Sequence, residues 1–575
     1  MKLDIASLLE AYRSGTLQPV DVIAEVYRRI RARGERPIWI HLVPEEQALE
    51  RARNLDPFRG GLPLFGIPFA IKDNIDLAGI PTTAACPDYA YVPEQSATVV
   101  ERLIAAGAIP IGKTNLDQFA TGLVGTRSPY GACSSVFDER FISGGSSSGS
   151  AVAVAADLVS FALGTDTAGS GRVPAAFNEL VGLKPSRGAL STVGVVPACR
   201  SLDCVSILTH TCAGAGHVFK AARGFDPKDP WSRSPGQRRF WPETGFRFGV
   251  PDAKWLRFFG DDSAPMLFEA SAARLEAQGG TRVEFDYEPF SDAARLLYSG
   301  PWVAERLAAI RQFAAAHAES LYPVTAQIIL KAASLTAVNT FEAIYRLAEL
   351  ARQTQREWDR MDFMLLPTAG NCYTHEQIAE QPIAHNTDLG YYTNFVNLLD
   401  LAAVAIPAGR RANGMPFGVT LIGPAWSDEA LLATAESVRR RYCPIGYVPL
   451  AVCGAHLSGM PLNHQLTDAG SFLLEATNTS PEYRLYALAG GPIAKPGLVL
   501  SSEGGRAIEV EVWAVPETTF GPFVAAVPPP LAIGTCRLES DREVKSFVCE
   551  PIGLEGATQI THFGGWRAYR KSASS

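Results

Sequence analysis

The sequence predicts an α/β protein with a large sheet covered by helices, followed by a small strand-rich domain. The first observation is an alternation of elements, because "PLFGIPFAIKDNID" (63–76) and "AIPIGKTN" (108–115) have the apolar runs of buried strands. Between them, Ser96 is placed to cap a helix that Gly107 ends. The second observation is a change in residue pattern near residue 442. Before it, apolar residues recur with helical periodicity; after it, Pro and Gly are frequent and apolar residues alternate with polar ones.

The same periodicities predict the other elements of the large domain. In chain order they are a helix over 3–33, a strand over 157–166 ("DLVSFALGTD"), a helix over about 335–360, a strand over 362–368 ("DFMLLPT"), a hairpin over 402–423 around Asn413-Gly414, and a helix over 428–441 capped by Ser427.

The change in residue pattern near residue 442 predicts the domain boundaries. We assign residues 1–442 to the first domain and 443–455, which are rich in Pro and Gly, to a linker. Residues 456–575 form the second domain, because "RAIEVEVWAV" (506–515) alternates as a strand does.

Composition excludes several classes of protein. The chain has 575 residues, of which 47% are hydrophobic and 19% charged, so disorder is not expected. A net charge of −7 gives no basic surface for a nucleic acid. The N-terminal residues lack the apolar run of a signal peptide, and we find no uninterrupted apolar stretch of eighteen residues, so no membrane contact is expected.

Cysteine and histidine spacings predict neither a metal nor a cofactor. The ten cysteines are scattered without a CxxC pair, which favours buried thiols in a reducing, cytoplasmic setting. The nine histidines form no ligand spacing such as HExxH, and no cofactor-binding loop is evident.

The stretch 143–175, "SGGSSSGSAVAVAADLVSFALGTDTAGSGRVPA", carries two Gly/Ser turns and three interpretations. A flexible linker is disfavoured, because the apolar "AVAVAA" follows at once. A nucleophile elbow would centre on Ser147 in Gly-Ser-Ser-Ser-Gly, although the preceding strand signal is weak and nothing marks His210 or His375 as its partner.

The third interpretation places the nucleophile at Ser170, in a glycine-flanked turn directly after an apolar strand. No histidine occurs between His41 and His210, so a base must come from elsewhere. Lys72 ends the apolar strand "FAIK", and a desolvated lysine can be neutral and act as a base. A surface lysine in an ion pair is the plainer alternative on spacing alone.

Longer motifs resemble a known family. The segments "GGSSSGSAVAVAADLVSFALGTDTAGSGRVPAAFNELVGLKPS" (144–186), "GIPFAIKDNID" (66–76), "GKTNLDQFATG" (112–122) and "GMPFGVTLIG" (414–423) resemble the amidase signature of Ser–Ser–Lys amidohydrolases. The resemblance implies an amidase-signature fold with a large mixed sheet.

The resemblance also implies roles for individual residues. Ser170 matches the nucleophile, Ser146 the bridging serine that follows a cis peptide bond, and Lys72 the general base. Asp166 and Arg172 match a pair that buttresses the loop. The backbone amides of Thr167, Ala168, Gly169 and Ser170 are expected to form the oxyanion hole.

At two positions, Ala168 and Gly171, the loop departs from the residues common in the amidase signature. With these residues it resembles the loop of one subgroup, the allophanate hydrolases. Their substrate is a small urea with a carboxylate, which an arginine can bind in a bidentate manner. Tyr298 and Arg306 match substrate-binding positions, and their eight-residue spacing puts both on one face if the segment is a single helix. Thr121 and Gly122 are weaker candidates for contacts with the substrate, and an arginine paired with Glu305 is the plainer alternative for Arg306.

The C-terminal segments "MPLNHQL" (460–466) and "FGGWRAYR" (563–570) resemble the tail domain of the same subgroup, which is similar to γ-glutamyl cyclotransferase folds. His464 is the group that we expect to assist a later decarboxylation, with a structural histidine as the alternative. The resemblance implies a homodimer that converts allophanate to ammonia and carbon dioxide, coupled to a urea carboxylase or a biuret-producing enzyme. A broad amide hydrolase or a component of a glutamine amidotransferase is the alternative function.

Overall fold

The computed structural model describes residues 1, 3–55, 61–440, 447–490, 494–539 and 542–573. The chain divides into two compact units, Met1–Arg439 and Arg440–Ser575, here called the N-terminal and C-terminal units. The predicted domain boundary at 442 and Cys443 lie outside the described residues.

The elements of the N-terminal unit alternate between helix and strand. Its strands are β1 (Trp39–Leu42), β2 (Pro68–Lys72), β3 (Ile109–Thr114), β4 (Phe161–Asp166), β5 (Val181–Lys184), β6 (Cys204–Thr209), β7 (Arg247–Pro251), β8 (Thr281–Phe285), β9 (Phe363–Pro367), β10 (Leu401–Arg410) and β11 (Pro416–Pro424). Its helices are α1 (Ile5–Arg13), α2 (Pro19–Arg33), α3 (Glu45–Arg53), α4 (Thr98–Ala105), α5 (Ser148–Ala155), α6 (Arg172–Phe177), α7 (Cys212–Ala222), α8 (Ala264–Ala277), α9 (Glu288–Ser299), α10 (Trp302–Ala316), α11 (Pro323–Leu330), α12 (Ala337–Trp358), α13 (His375–Glu380), α14 (Ala384–Gly390), α15 (Phe395–Leu398) and α16 (Asp428–Arg440).

These strands form one sheet in the order β1-β3-β2-β4-β6-β5-β10-β11-β9-β7-β8. Strand β2 runs parallel to β3 and β4, and β7 runs parallel to β8 and β9. The strands between β4 and β9 pair antiparallel, including the predicted hairpin β10–β11. The mixed α/β sheet is therefore confirmed.

The sheet positions two chemical groups at one edge. Strands β2 and β4 are adjacent and parallel, with Ile71 opposite Leu163, and every residue of both is buried. Each apolar run ends in a charged residue, Lys72 in β2 and Asp166 in β4. Because the carboxyl ends of neighbouring parallel strands meet at the same edge, these two side chains are brought into one region.

Two predicted helix boundaries are wrong. The helix expected over 3–33 is two helices, because Gly15 adopts a positive φ of 69° and Pro19 starts a new helix. Ser96 does not cap α4. Its Oγ accepts a hydrogen bond from the Ala78 amide, and Ala97 occupies the N-cap position.

The C-terminal unit is a separate strand-rich domain, as predicted. Its elements are β12 (Tyr447–Val452), α17 (His464–Thr467), β13 (Phe472–Asn478), β14 (Tyr483–Ala487), β15 (Pro496–Leu500), β16 (Glu509–Pro516), α18 (Glu517–Ala525), β17 (Leu531–Arg537), β18 (Glu543–Cys549), β19 (Thr558–Gln559) and α19 (Trp566–Ala573). They form a sheet in the order β13-β16-β12-β18-β17 and a second in the order β15-β14-β19.

The predicted linker over 443–455 is wrong where the structure describes it. Residues 447–452 are the central strand β12, which pairs with β16 on one side and β18 on the other. The neighbouring Pro and Gly residues obscured the short apolar run "PLAV", whose last three residues are buried in the core of this unit. Residues 443–446 lie outside the described chain.

Within the described chain, no helix has the length and apolar character needed to cross a bilayer. The same residues include no cluster of three or more His, Cys, Asp or Glu side chains arranged to hold a metal ion.

Candidate active site

The candidate active site lies where β2 and β4 end. Lys72 closes β2, and the loop 167–171 follows β4 and leads into α6. Ser146 and Ser147 stand immediately before α5. The Ser147 amide donates a hydrogen bond to the Ser170 carbonyl at 3.2 Å, so the two Gly/Ser turns lie side by side.

Lys72 is a fully buried amine within hydrogen-bonding reach of two hydroxyls. Its Nζ lies 2.7 Å from Ser146 Oγ and 2.7 Å from Thr165 Oγ1, and its side chain has no exposed surface. Burial lowers its pKa to about 7, against a smaller opposing effect of Asp117 and other buried carboxylates. Near neutral pH a large fraction of the amine is therefore unprotonated and able to accept a proton.

Ser146 is held by a backbone arrangement that only glycine permits beside it. The Gly145–Ser146 peptide bond is cis, as the resemblance implies, and the Ser146 carbonyl accepts a hydrogen bond from the Asp117 amide at 3.2 Å. A Cβ atom on Gly145 would lie 2.2 Å from Asp117 Oδ2 and 2.5 Å from the Gly125 nitrogen. Any other residue at 145 would displace the turn that presents the Ser146 hydroxyl to Lys72.

The loop that carries Ser170 is organised by the Asp166 carboxylate. It accepts hydrogen bonds from the amides of Gly169 (2.9 Å) and Gly171 (3.1 Å) and from Arg172 Nε and Nη2 (both 2.9 Å). Asp166 and Arg172 are fully buried, and the arginine keeps the pKa of this carboxyl below its ordinary value despite burial. Removing one partner of a buried pair costs about 3–5 kcal/mol, so the loop conformation depends on this contact.

The loop leaves three of the four predicted oxyanion donors for a substrate. The Gly169 amide is occupied, because it already donates to Asp166. Thr167, Ala168 and Ser170 remain as candidate donors. The Ser170 side chain is 2% exposed, and its Oγ donates to the Gly122 carbonyl at 3.4 Å.

Three side chains from distant segments fix the same loop, and sequence reasoning did not find them. Thr393 Oγ1 donates to the Ala168 carbonyl at 2.6 Å, and Asn397 Nδ2 donates to the Asp166 carbonyl at 2.7 Å. The Thr167 hydroxyl donates to the buried Asp203 carboxylate. None of the three sits in a recognisable motif, since each acts only through contacts that the fold creates.

Ser147 has a structural position. Its Oγ donates to the Thr165 carbonyl at 3.2 Å and accepts from the Thr165 amide at 3.3 Å, which ties the start of α5 to β4. The two histidines considered as partners are elsewhere, since His210 faces Asp157 and His375 faces Ser134. The nucleophile-elbow interpretation is therefore wrong.

Arg306 is a buried cation beside the nucleophile loop. It is 2% exposed, and its Nη1 donates to the Ala120 carbonyl at 3.2 Å and to Thr121 Oγ1 at 3.1 Å. No carboxylate of the described residues lies within ion-pairing distance of it, and its Nε is buried without a partner. The pairing with Glu305 is wrong, because that carboxylate accepts from the Ser201 amide and hydroxyl instead.

Tyr298 lies next to Arg306, but not for the predicted reason. Its hydroxyl is 3.4 Å from Arg306 Nη2, and the guanidinium carbon lies 5.3 Å from the centre of the Tyr298 ring. The two residues stand on different helices, α9 and α10, because Gly300 and Pro301 interrupt the segment. The contact is made by a turn between two helices rather than by one helical face.

Thr121 and Gly122 connect the arginine to the nucleophile. Thr121 Oγ1 accepts from Arg306, and the next residue, Gly122, accepts from Ser170 Oγ through its carbonyl. The structure thus brings the predicted residues of the N-terminal unit together through separate contacts. Lys72 contacts Ser146, the amide of the adjacent Ser147 joins the Ser170 carbonyl, and Ser170 contacts Gly122. Arg306 contacts Thr121 and Tyr298.

Comparison with known proteins identifies the family of the chain. The family model described as Amidase matches residues 21–432. The chain belongs to the amidase family. A second model, described as the allophanate hydrolase C-terminal domain, matches residues 448–571 of this amidase.

Similar proteins cover the chain to different extents. A urea amidolyase of Saccharomyces cerevisiae is 44% identical over 571 residues, covering 92% of this chain and 31% of that protein. The chain thus spans about a third of the length of the curated urea amidolyases that it matches. A glutamyl-tRNA(Gln) amidotransferase component of Symbiobacterium thermophilum is 35% identical, covering 76% of this chain and 96% of that one. The solved Kluyveromyces lactis allophanate hydrolase is 40% identical with a TM-score of 0.72, covering 99% of each chain.

The C-terminal unit of this amidase contains a cavity of about 900 Å³. His456, Gln465 and Lys495 line it among apolar groups. His456 Nε2 lies 3.0 Å from Gln465 Oε1, its ring stacks on Phe547 at 5.0 Å, and burial lowers its pKa. A histidine facing a cavity is a stronger candidate for chemistry than one at the surface.

His464, the predicted group, is exposed. It opens the short helix α17, its Nδ1 lies 3.0 Å from the Pro461 carbonyl, and it is absent from the lining of the cavity. The sequence motif "PLNHQL" pointed to His464, whereas "CGAHLSG" (453–459) holds the histidine that faces the cavity. His456 and not His464 therefore lines this cavity, and the role expected for His464 stays a prediction.

The pKa of Lys72 predicts a pH dependence. Because its neutral form accepts the proton, kcat/KM for amide hydrolysis should rise with pH through about 7, the pKa of this amine, and level off above it. Below that value kcat/KM should fall about tenfold per pH unit. Steady-state ammonia release between pH 5 and 9 measures the profile, and Lys72→Met is expected to remove activity across the range. A profile that still rises about tenfold per pH unit up to pH 9, as an ordinary lysine pKa of 10.5 would give, would contradict a neutral Lys72.

Proposed function

We propose that this amidase is an allophanate hydrolase. The observation that carries the proposal is Arg306, a buried guanidinium without an ion-pair partner in the described chain, placed beside the candidate nucleophile. A buried, unpaired charge costs several kcal/mol, and an anionic substrate would neutralise it. The similarity to the Kluyveromyces lactis allophanate hydrolase along the whole chain supports the same substrate.

The chemistry of allophanate fits the spacing of these groups. The molecule has a terminal amide at one end and a carboxylate at the other, separated by a single NH. Arg306 reaches the Ser170 region through only Thr121 and Gly122, so a short substrate suffices to span from the guanidinium to the nucleophile. Arg binds a carboxylate through two parallel hydrogen bonds, which also fixes which end of the molecule faces Ser170.

Hydrolysis begins with a proton relay. Neutral Lys72 Nζ keeps a hydrogen bond to Thr165 Oγ1 and accepts a proton from Ser146, which in turn accepts one from Ser170. Ser170 Oγ then attacks the terminal amide carbonyl. The amides of Thr167, Ala168 and Ser170 are the candidate donors for the developing oxyanion, and one such donor contributes about 3–4 kcal/mol.

The intermediate collapses when the relay returns its proton to the nitrogen of the leaving group, and ammonia departs. Water then repeats the sequence on the acyl-enzyme and releases N-carboxycarbamate. Arg306 retains the carboxylate in place through both steps. A Glu or Lys at 306 would be unable to form the same paired contact.

Replacing Arg306 with Leu is expected to lower kcat/KM for allophanate at least 30-fold, which corresponds to about 2 kcal/mol, because the carboxylate would lose its charged partner. Ammonia release from allophanate, acetamide and glutamine measures the effect. The loss should be several-fold smaller with acetamide, which has no carboxylate. A wild-type preference for acetamide would contradict the function, and a wild-type preference for glutamine would favour the amidotransferase alternative.

We further propose that the C-terminal cavity carries the decarboxylation of N-carboxycarbamate. In this step one carboxyl group leaves as carbon dioxide, and the bond electrons remain on nitrogen, which takes up a proton to give carbamate. Lys495 provides a cation for the retained carboxylate, and His456 provides a proton donor in a half-buried position. Carbamate then yields the second ammonia and carbon dioxide.

His456→Ala is expected to separate the two ammonia releases. With allophanate as substrate, the first ammonia should appear at the wild-type rate, because the N-terminal unit is unchanged, and the second should lag by at least tenfold. Stopped-flow measurement of ammonia against carbon dioxide resolves the two phases. His464→Ala is the matched control and should show no lag. A lag in His464→Ala, or none in His456→Ala, would contradict the assignment.

The partners of the enzyme follow from the substrate. The supply of allophanate requires a reaction that carboxylates urea or one that generates it from biuret, and the names of the urea amidolyases that match the chain favour urea. The homodimer and the cytoplasmic location remain predictions from the sequence.

A further inference from the structure

Arg127 is a second buried guanidinium near the substrate site, in the segment "GLVGTRSP" (122–129). It is 2% exposed, and its Nε is buried without a hydrogen-bond partner. No carboxylate lies within ion-pairing distance of it in the part of the chain that the structure describes. A charged group in this state calls for an explanation, because burial without pairing is costly.

The hydrogen bonds of Arg127 place it on the same segment that Arg306 holds. Arg127 Nη1 donates to the Thr121 carbonyl at 2.9 Å, and Nη2 donates to the Pro382 carbonyl at 2.7 Å. Arg306 Nη1 binds the hydroxyl of the same threonine. Two guanidinium groups therefore bind Thr121: that of Arg127 contacts its carbonyl, and that of Arg306 contacts its hydroxyl.

The segment needs such support. Phe119 and Ala120 adopt positive φ angles of 50° and 52°, a conformation that non-glycine residues rarely hold without external contacts. The following carbonyl, that of Gly122, accepts the hydrogen bond of Ser170 Oγ. Thr121 and Gly122 are here called the wall. Its position relative to Ser170 thus depends on both arginines.

The nearest carboxylate is already engaged. Asp117 accepts from the amides of Val124 (3.2 Å), Gly125 (3.0 Å) and Arg127 itself (2.9 Å). These bonds satisfy Asp117 through the backbone and leave the Arg127 guanidinium to face Thr121. The positive charge of Arg127 therefore lies against the segment that Arg306 also contacts.

We propose that Arg127 is a positioning residue that determines specificity for an anionic substrate, by holding the Thr121–Gly122 wall and adding a second positive charge beside Arg306. The inference rests on the proposed function, since it concerns how allophanate is distinguished from neutral ureas. Arg127 acts through Thr121, and Arg306 remains the group that meets the carboxylate.

The test compares allophanate with biuret, in which a neutral amide replaces the carboxylate. We expect Arg127→Met to lower kcat/KM for allophanate at least tenfold more than it lowers kcat/KM for biuret, or the affinity for biuret as an inhibitor, because biuret lacks the carboxylate that the positive charges favour. Arg127→Lys keeps the charge but not both carbonyl contacts, so it should recover part of the discrimination. This variant also serves if Arg127→Met lowers the melting temperature too far to assay.

Arg102→Met is the matched control, because Arg102 also donates to backbone carbonyls of the N-terminal unit, those of Ala222, Gly224 and Phe225, away from Ser170. It should leave the ratio of allophanate to biuret unchanged. Equal losses on both substrates in the Arg127 variants, or no loss at all, would overturn the proposal. If wild-type enzyme fails to prefer allophanate over biuret, the proposed function fails instead, whatever the variants do.

Discussion

The buried amine of Lys72 is the constraint on which the rest of the site depends. A lysine at the end of a fully buried strand has no solvent to stabilise its charge, so its pKa falls to about 7 and it becomes a base at neutral pH. The neutral amine donates a hydrogen bond to Thr165 Oγ1. Its lone pair is then available to accept a proton from Ser146 Oγ, which lies 2.7 Å away. Of the neighbouring charges, Asp166 and Arg172 form a buried pair, whereas Arg306 has no carboxylate partner among the described residues.

Hydrogen bonds also fix the nucleophile loop, residues 167–171, which carries Ser170. Its backbone is fixed from within by Asp166 and from outside by Thr393 and Asn397. Preorganised amides stabilise a developing oxyanion best when they need not move during the reaction. The same loop contacts Gly122, because Ser170 Oγ donates to the Gly122 carbonyl. The loop that carries Ser170 and the segment that Arg306 holds are therefore joined by hydrogen bonds through Thr121 and Gly122.

The sequence predicted the groups that sit in long motifs and missed those that the fold assembles. Lys72, Ser146 and Ser170 are found together because Lys72 ends β2, Ser170 follows β4 and Ser146 precedes α5, which packs on both strands. Arg306 and Tyr298 meet across a turn, since Gly300 and Pro301 break the expected helix. Thr393 and Asn397 act through contacts more than 200 residues away in sequence, which no local pattern encodes. The sequence motif points to His464, and only the fold shows that His456 is the histidine that lines the cavity.

The central claim is that Ser170 is the nucleophile and that Lys72 activates it through Ser146. The most direct measurement is mass-spectrometric mapping of the serine modified by a fluorophosphonate probe. We expect a single adduct on Ser170, with a labelling rate that falls at least a hundredfold in Lys72→Met. An adduct on Ser147, or labelling of Ser170 that is unaffected by the loss of Lys72, would contradict it.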